Sequence, residues 1–244
     1  KRRRADIAQE KAAWEAELDA WPQERDPWSL EVAKESAHNG AAMHPRQMLR
    51  ALEKAMPADA MVSTDIGNIC SVANSYLRFQ RPRSLFAAMS FGNCGYAFPA
   101  IIGAKLAAPE RPAVAYVGDG AWGMSFGEIL TCVREKIPVT AVVFHNRQWG
   151  AEKKNQVDFY GNRFVGSNLE NPSFAAIARA MGAEGIVVEQ LADVGPALAA
   201  ACAAQKEGRT TVLEMMVTRE LGDPFRRDAL KKPVRLLDKY KNCM

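Results

Sequence analysis

Val114-Ala115-Tyr116-Val117-Gly118-Asp119-Gly120-Ala121, with Asn146 closing the next apolar run, decides how this chain is read. Val114 to Val117 has the composition of a buried strand. The chain then turns on two glycines that flank an acid. Met124 to Lys136 carries Phe126, Ile129, Leu130 and Val133 at helical spacing, which predicts a helix. Pro138 to Phe144 reads as a second buried strand, and it delivers Asn146. In a parallel sheet both strands end at the same carboxyl edge, so Asp119 and Asn146 can meet in space.

A carboxylate, an amide oxygen and a nearby backbone carbonyl are hard oxygen ligands. They suit Mg²⁺, which completes its octahedron with waters and phosphates. The glycines let backbone N–H groups approach phosphate oxygens, and a helix N-terminus favours negative charge. Gly-Asp-Gly alone is consistent with an ordinary tight turn. With an Asn at the end of the following strand, the pair predicts a cradle for a Mg²⁺-diphosphate.

Outward from this unit, strands and helices alternate. Pro45 suits a first helical position, and Met48, Leu49, Leu52 and Met56 give that helix an apolar face. Ala60 to Thr64 reads as a strand, Asp65-Ile66-Gly67-Asn68 as a strand-to-helix turn, and Ser71 to Leu77 as helix. Leu85 to Met89 reads as a short strand and Tyr96 to Leu106 as an apolar helix. Gly150 to Pro172 shows no period and reads as a long loop, a kind that is often functional. Ser173 is placed to cap a helix that Gly182 ends; Gly185 to Val188, Ala192 to Gln205 and Thr210 to Val217 read as strand, helix and strand. The expectation is an α/β fold with a doubly wound parallel sheet of about six strands and ligands at its carboxyl edge.

Residues 1–44 read as the tail of a preceding domain and a linker, with a surface helix over Ala5 to Ala20 that Pro22 stops. Residues 45–218 form the main domain, and 219–244 a polar C-terminal tail. His38 and His44 fall in the linker and take no role. The 48% hydrophobic and 25% charged content is ordinary for a globular protein. A modest net charge of +4 that includes Lys1-Arg2-Arg3-Arg4 is weak evidence for nucleic acid, which is not expected as a partner; the run suits a solvated terminus. Five cysteines without a CxxC pair suggest neither a disulfide framework nor a zinc site, and fit a reducing cytoplasm. No signal peptide is visible, and the most apolar stretch, Ala97 to Ala108, is too short and broken to span a bilayer.

Gly118-Asp119-Gly120 followed by His145-Asn146 resembles the diphosphate motif of thiamine diphosphate enzymes. Thr64-Asp65-Ile66-Gly67, Phe91 to Tyr96, Pro99 to Ala104 and Gly127 to Thr131 resemble successive blocks of the acetolactate synthase-like superfamily, in order, over roughly Pro57 to Val217. Phe144 to Gln156 and Gly222 to Pro233 resemble its branch that acts on sulfoacetaldehyde. The resemblance implies thiamine diphosphate and Mg²⁺ as cofactors. Asp119, Asn146 and the Gln148 carbonyl would hold the metal. Gly118, Gly120, Ala121 and Gly150 would sit around the diphosphate, with Gly67 and Asn68 on its other side. Gly92, Asn93 and Cys94 would bind the aminopyrimidine through the Gly92 carbonyl and the Cys94 amide. Methionine is common in the family where this chain has Cys94, so a side-chain contact there does not carry over. Glu128 matches a family glutamate, and its plain reading is that it braces the fold.

In this superfamily a glutamate from an N-terminal domain, usually of a neighbouring subunit, activates the cofactor. No such domain is visible here, so the chain is expected to be the C-terminal part of a homo-oligomeric enzyme with its site between subunits. The implied reaction, part of sulfonate and taurine breakdown, converts sulfoacetaldehyde and phosphate to acetyl phosphate and sulfite. Both substrates are anions. His145, Arg147, Lys153, Lys154, Arg226 and Arg227 are the cationic candidates for them, although each alone also reads as a solvated charge. Trp149, Phe159 and Tyr160 either wall the pocket or pack the core. Alternatives are another carboligase or decarboxylase of the superfamily, or a non-catalytic cofactor- or nucleotide-binding subunit.

Overall fold

The computed structural model describes residues 43–219, together with Gln9, Ala12 and Ala16, which are helical and exposed. The rest of the expected N-terminal helix, most of the linker, and the tail with Arg226 and Arg227 lie outside the described residues. The chain divides into two units, Lys1–Gly40 and Ala41–Met244.

In the second unit, α1 (Pro45–Ala55) leads into β1 (Met61–Thr64), α2 (Asn68–Ala73), β2 (Leu85–Ala87), α3 (Ala97–Ala107) and β3 (Ala113–Gly118). Then come α4 (Asp119–Trp122), a 3-10 turn (Phe126–Glu128), α5 (Ile129–Glu135), β4 (Thr140–His145), α6 (Gly150–Phe159) and α7 (Phe174–Ala180). The unit closes with β5 (Glu184–Val188), α8 (Leu191–Ala204) and β6 (Thr211–Met216). All six strands are parallel, in the order β2-β1-β3-β4-β6-β5. The predicted doubly wound α/β fold is present. The direction of winding reverses between β1 and β3, where ligand crevices of such sheets open.

The central strands are apolar because both faces of the sheet are covered. Val114 and Tyr116 of β3 join Val142 and Phe144 of β4 in one core, with Leu49 and Leu52 of α1 and Leu198 of α8. Ala115 and Val117 alternate to the other face, against Phe98 and Ile101 of α3 and Trp122 and Ile129 beyond the turn. Each fully buried Val, Leu, Ile or Phe among them contributes roughly 1.5–3 kcal/mol by leaving water. Met43, expected in the linker, extends the sheet end: its N–H donates to Met216 O and its carbonyl accepts from Thr218 N–H, both at 2.9 Å. His44 beside it is buried.

The structure corrects four element boundaries. The helix expected over Met124 to Lys136 is a 3-10 turn followed by α5, and the separate short α4 precedes it. Gly123, a poor helix former, follows α4, and Gly127 lies within the 3-10 turn. The four-residue α4 therefore carries little macrodipole of its own. The helix expected over Ser71 to Leu77 is α2, which starts and ends earlier. The strand from Leu85 stops at Ala87, and Met89 is exposed. The loop expected from Gly150 to Pro172 begins with a ten-residue helix, α6. Its apolar residues share no stripe, so periodicity is silent. It is sustained by strong helix formers (Ala151, Glu152, Lys153, Lys154 and Gln156) and by the Lys154–Asp158 ion pair at i, i+4.

One packing contact at the sheet edge is tight enough to predict an outcome. A Cβ built on Gly185 of β5 overlaps the Ala175 carbonyl of α7 and lies 2.8 Å from its Cα. Backbone cannot yield as a side-chain tip can. Gly185→Ala should lift α7 from the sheet and cost about 1–3 kcal/mol. A lowered urea midpoint at unchanged m-value is the expected result; an unchanged midpoint would show that the helix shifts freely.

Candidate functional site

Three loops meet at the carboxyl edge, and Asp65 joins two of them. It directly follows β1 and is 2% exposed. Its Oδ1 accepts from Ile66 N–H at 2.9 Å and Gly95 N–H at 3.1 Å, and its Oδ2 from Ala97 N–H at 3.0 Å. Burial pushes the Asp65 carboxyl up, and these backbone donors pull it part of the way back. The staple holds the Phe91–Tyr96 loop against the Gly67–Asn68 turn. Asp65 appears in the sequence only as part of a block, and no local pattern announces a reach of thirty positions.

Asp119 opens α4 at the end of β3, and Asn146 follows β4; both are buried. The register that pairs Gly118 with Phe144 brings them to the same edge. Asp119 Oδ1 accepts from Gly120 N–H at 2.9 Å, and Oδ2 from Arg147 N–H at 2.6 Å and Asn171 Nδ2 at 3.1 Å. Burial pushes its carboxyl up, while the neighbouring His145 and these donors act against that. Asn171 escaped the sequence analysis because it sits in an aperiodic stretch far along the chain.

Beyond Asn146 the chain pairs with the segment before α7. Trp149 N–H donates to Ser167 O at 2.8 Å, and Leu169 N–H to Arg147 O at 2.9 Å. These bonds flank the Gln148–Asn168 bridge and leave Gln148's own carbonyl outside the ladder. The side-chain Oε1 of Gln148 is also buried without a partner. The Trp149 indole lies over Gly120, where a Cβ would come within 2.8 Å of the ring. Any larger residue at 120 displaces the indole.

A cleft at this edge is lined by Gly67 and Asn68 after β1, by Gly92 and Cys94, and by Gly118, Asp119, Gly120 and Ala121. Asn146, Gln148, Trp149 and Gly150 close it on the other side. Of the cofactor residues expected from sequence, all except the exposed Asn93 line it. Cβ positions built on Gly67, Gly92 and Gly118 meet nothing within 4 Å, so backbone faces open space there. Glu152, which sequence analysis passed over, also lines the cleft. Burial raises the Cys94 thiol, with Asp65 and Glu152 adding to the effect.

The expected anion-binding cations are elsewhere. Among the described residues no Lys, Arg or His side chain lines the cleft. His145 is 2% exposed and its Nδ1 lies 2.7 Å from Glu214 Oε1. The side chain of Arg147 is exposed. Lys153 donates to Asn168 Oδ1 at 2.9 Å and stands over the Phe164 ring; Lys154 pairs with Asp158. Phe159 and Tyr160 are exposed and wall nothing in this cleft. Glu128 is exposed, and among the described residues its carboxylate accepts from Thr131 Oγ1, one turn away, at 2.8 Å.

Glu214 of β6 is a hub missed from sequence. Besides His145, its Oε2 accepts from Ser173 Oγ at 2.7 Å and Ala175 N–H at 2.8 Å. Burial pushes its carboxyl up, but His145, Ala175 and Ser173 outweigh this and hold it down to about 2. With Glu214 ionised, the proton of the shared bond sits on His145 Nδ1. The predicted cap at Ser173 is also present, accepting from Ala176 N–H at 3.2 Å.

Residues 65–215 match the family model of the thiamine pyrophosphate enzyme C-terminal TPP binding domain. Over 242 residues the chain is 72% identical to a sulfoacetaldehyde acetyltransferase of Castellaniella defragrans, covering 98% of this chain and 40% of that protein. A sulfoacetaldehyde acetyltransferase of Alcaligenes xylosoxydans xylosoxydans is 70% identical, with 98% and 41% covered. The chain thus spans about two fifths of the length of the curated relatives it matches. The structure of a thiamine diphosphate-dependent 4-hydroxybenzoylformate decarboxylase of Rhodococcus jostii RHA1 shares the fold, with a TM-score of 0.69 at 23% identity over 75% of this chain and 34% of that one.

Proposed function

The chain belongs to the thiamine pyrophosphate enzymes, as their C-terminal cofactor-binding domain, and on that premise we propose that the protein carrying it is a thiamine diphosphate- and Mg²⁺-dependent acyltransferase. It converts sulfoacetaldehyde and phosphate into acetyl phosphate and sulfite. The observation that carries this choice of substrates is 72% identity, over nearly all of the chain, to a protein named for that activity.

The donor set fits a Mg²⁺-diphosphate. Asp119 and Asn146 present a carboxylate and a carboxamide in one cleft, and the Gln148 carbonyl is left outside the adjacent ladder. These are hard oxygens, as Mg²⁺ requires. Among the described residues no group of three His, Cys, Asp or Glu forms a rival metal site. Asp119, Asn146 and Gln148 would hold the metal. The amides of Gly120 and Ala121, with Gly67 and Asn68 opposite, would neutralise the diphosphate, and open backbone at Gly67, Gly92 and Gly118 supports a close approach. Gly92 and Cys94 would face the aminopyrimidine. When bound, thiamine diphosphate supplies a nucleophilic carbon that attacks a carbonyl. Trp149, over Gly120, would shield this end of the cleft from water.

The activating glutamate comes from another domain in this reading, and the site lies between subunits. Phe91 is 90% exposed, Met89 69% and Met124 63%, and the Met124 Cβ lies 3.2 Å from where a Cβ on Gly95 would sit. Such apolar exposure at the lip of a cleft supports coverage by a second subunit. Among the described residues no Lys, Arg or His side chain lines the cleft, and in this reading the anion-binding groups come from the C-terminal tail, Arg226 first, or from that subunit. Among the described residues no helix is long and apolar enough to cross a membrane. The four cysteines among the described residues are unpaired, which supports a reducing cytoplasm.

The test supplies the full-length protein with sulfoacetaldehyde, phosphate, thiamine diphosphate and Mg²⁺. Sulfite and acetyl phosphate should appear in equal amounts, from an oligomer by sedimentation. Consumption of pyruvate alone would leave the cofactor and overturn the substrates. Full activity in a monomer would overturn the shared site.

A further inference from the structure

The bonds to Asp119 distinguish its two oxygens. A carboxylate offers about four acceptor positions, two on each oxygen. Oδ2 accepts twice, from Arg147 N–H at 2.6 Å and from Asn171 Nδ2 at 3.1 Å. Oδ1 accepts once, from Gly120 N–H. We propose that Asn171 is a positioning residue: its carboxamide saturates Oδ2, leaves Oδ1 as the single coordinating atom of Asp119, and so tunes the site to a small octahedral cation. The proposal rests on the Mg²⁺-diphosphate reading of the cleft.

Asn171 is held in place from both sides. Leu169 N–H is tied to Arg147 O, on the same loop that donates to Asp119. Ser173 and Ala175 are tied to Glu214, which also grips His145 beside Asn146. Pro172 restricts the backbone of Asn171 to extended conformations. The residue is half-buried and does not line the cleft, so it acts through Asp119. A carboxylate with one oxygen blocked binds through the other alone, which suits the rigid octahedron of Mg²⁺. One with both oxygens free can bind through both, which suits the larger, more adaptable Ca²⁺.

The test measures cofactor binding without substrate, by calorimetry on the full-length protein, with MgCl₂ and CaCl₂ titrated separately at fixed thiamine diphosphate. Asn171→Ala and the near-isosteric Asn171→Leu both remove the donor. Each should raise the Mg²⁺ concentration for half-saturation by ~10-fold or more. Ca²⁺ should change less, so that the preference for Mg²⁺ falls while the apo-protein Tm stays near that of the parent. Unchanged Mg²⁺ dependence in both variants overturns the role of Asn171 and leaves the cofactor reading intact. Equal weakening for both cations also overturns it, since that marks a general loosening. If the parent protein itself binds no thiamine diphosphate with either cation, the cofactor reading fails and this proposal with it.

Discussion

Asp119→Ala should abolish Mg²⁺-dependent binding of thiamine diphosphate and lower kcat/KM of the full-length enzyme by ~10³-fold or more, about 4 kcal/mol. Asp119 is the one carboxylate of the donor set, and the diphosphate brings several negative charges that the metal must offset. The change also frees Arg147 N–H and the Asn171 carboxamide from their acceptor. Asp119→Asn serves as the control for shape. It keeps an oxygen toward one side but loses the charge, so it should fall between parent and Ala. The deciding quantity is the cofactor dissociation constant at saturating Mg²⁺. A parent-like constant in Asp119→Ala would remove this residue from the metal site.

Glu214→Leu should be the most destabilising single change at the carboxyl edge. Glu214 is 2% exposed and serves His145, Ser173 and Ala175 together. Leucine fills the volume and leaves two buried donors, on His145 and Ala175, and the part-buried Ser173 hydroxyl without their acceptor, at a cost of about 3–5 kcal/mol. For a unit of this size that is about a 6–20 °C fall in Tm. The charge makes the effect pH-dependent. The folded carboxyl titrates at about 2, below its ordinary 4.5. Its stabilisation is therefore complete above about pH 4.5 and is lost as pH falls toward 2. Urea midpoints of parent and Glu214→Leu should be well separated at pH 7 and draw together on acidification. A separation that holds constant to pH 3 would show that the charge on Glu214 contributes little and that packing alone explains the loss.

The cleft was legible where chemistry coincides with local pattern. Gly118-Asp119-Gly120 closes an apolar run, and Asn146 closes the next, so strand counting alone brings them to one edge. Gly67, Gly92 and Gly150 were reached by resemblance, and they line the same cleft. His145, Arg147 and Lys153 were chosen for charge and nearness in sequence. Charge says nothing of direction, and the structure turns His145 inward to Glu214 and Lys153 outward to Asn168. Helix α6 was unreadable for a related reason: a helix largely open to solvent needs no apolar stripe, so propensity and one ion pair sustain it without a period.

The alternation of apolar runs with amphipathic segments was enough to specify six strands, their parallel pairing and the placing of Asp119 and Asn146. Each of these follows from the period of neighbouring residues and from the burial of both sheet faces. The tertiary structure alone decided that Asp65 staples the Gly95 loop, that Asn171 reaches Asp119, and that Glu214 joins β4, β6 and α7. Those bonds link residues separated by 30 to 69 positions. A single polar residue at such a distance leaves no trace in local hydrophobicity, because its partner is determined by how the strands are ordered across the sheet.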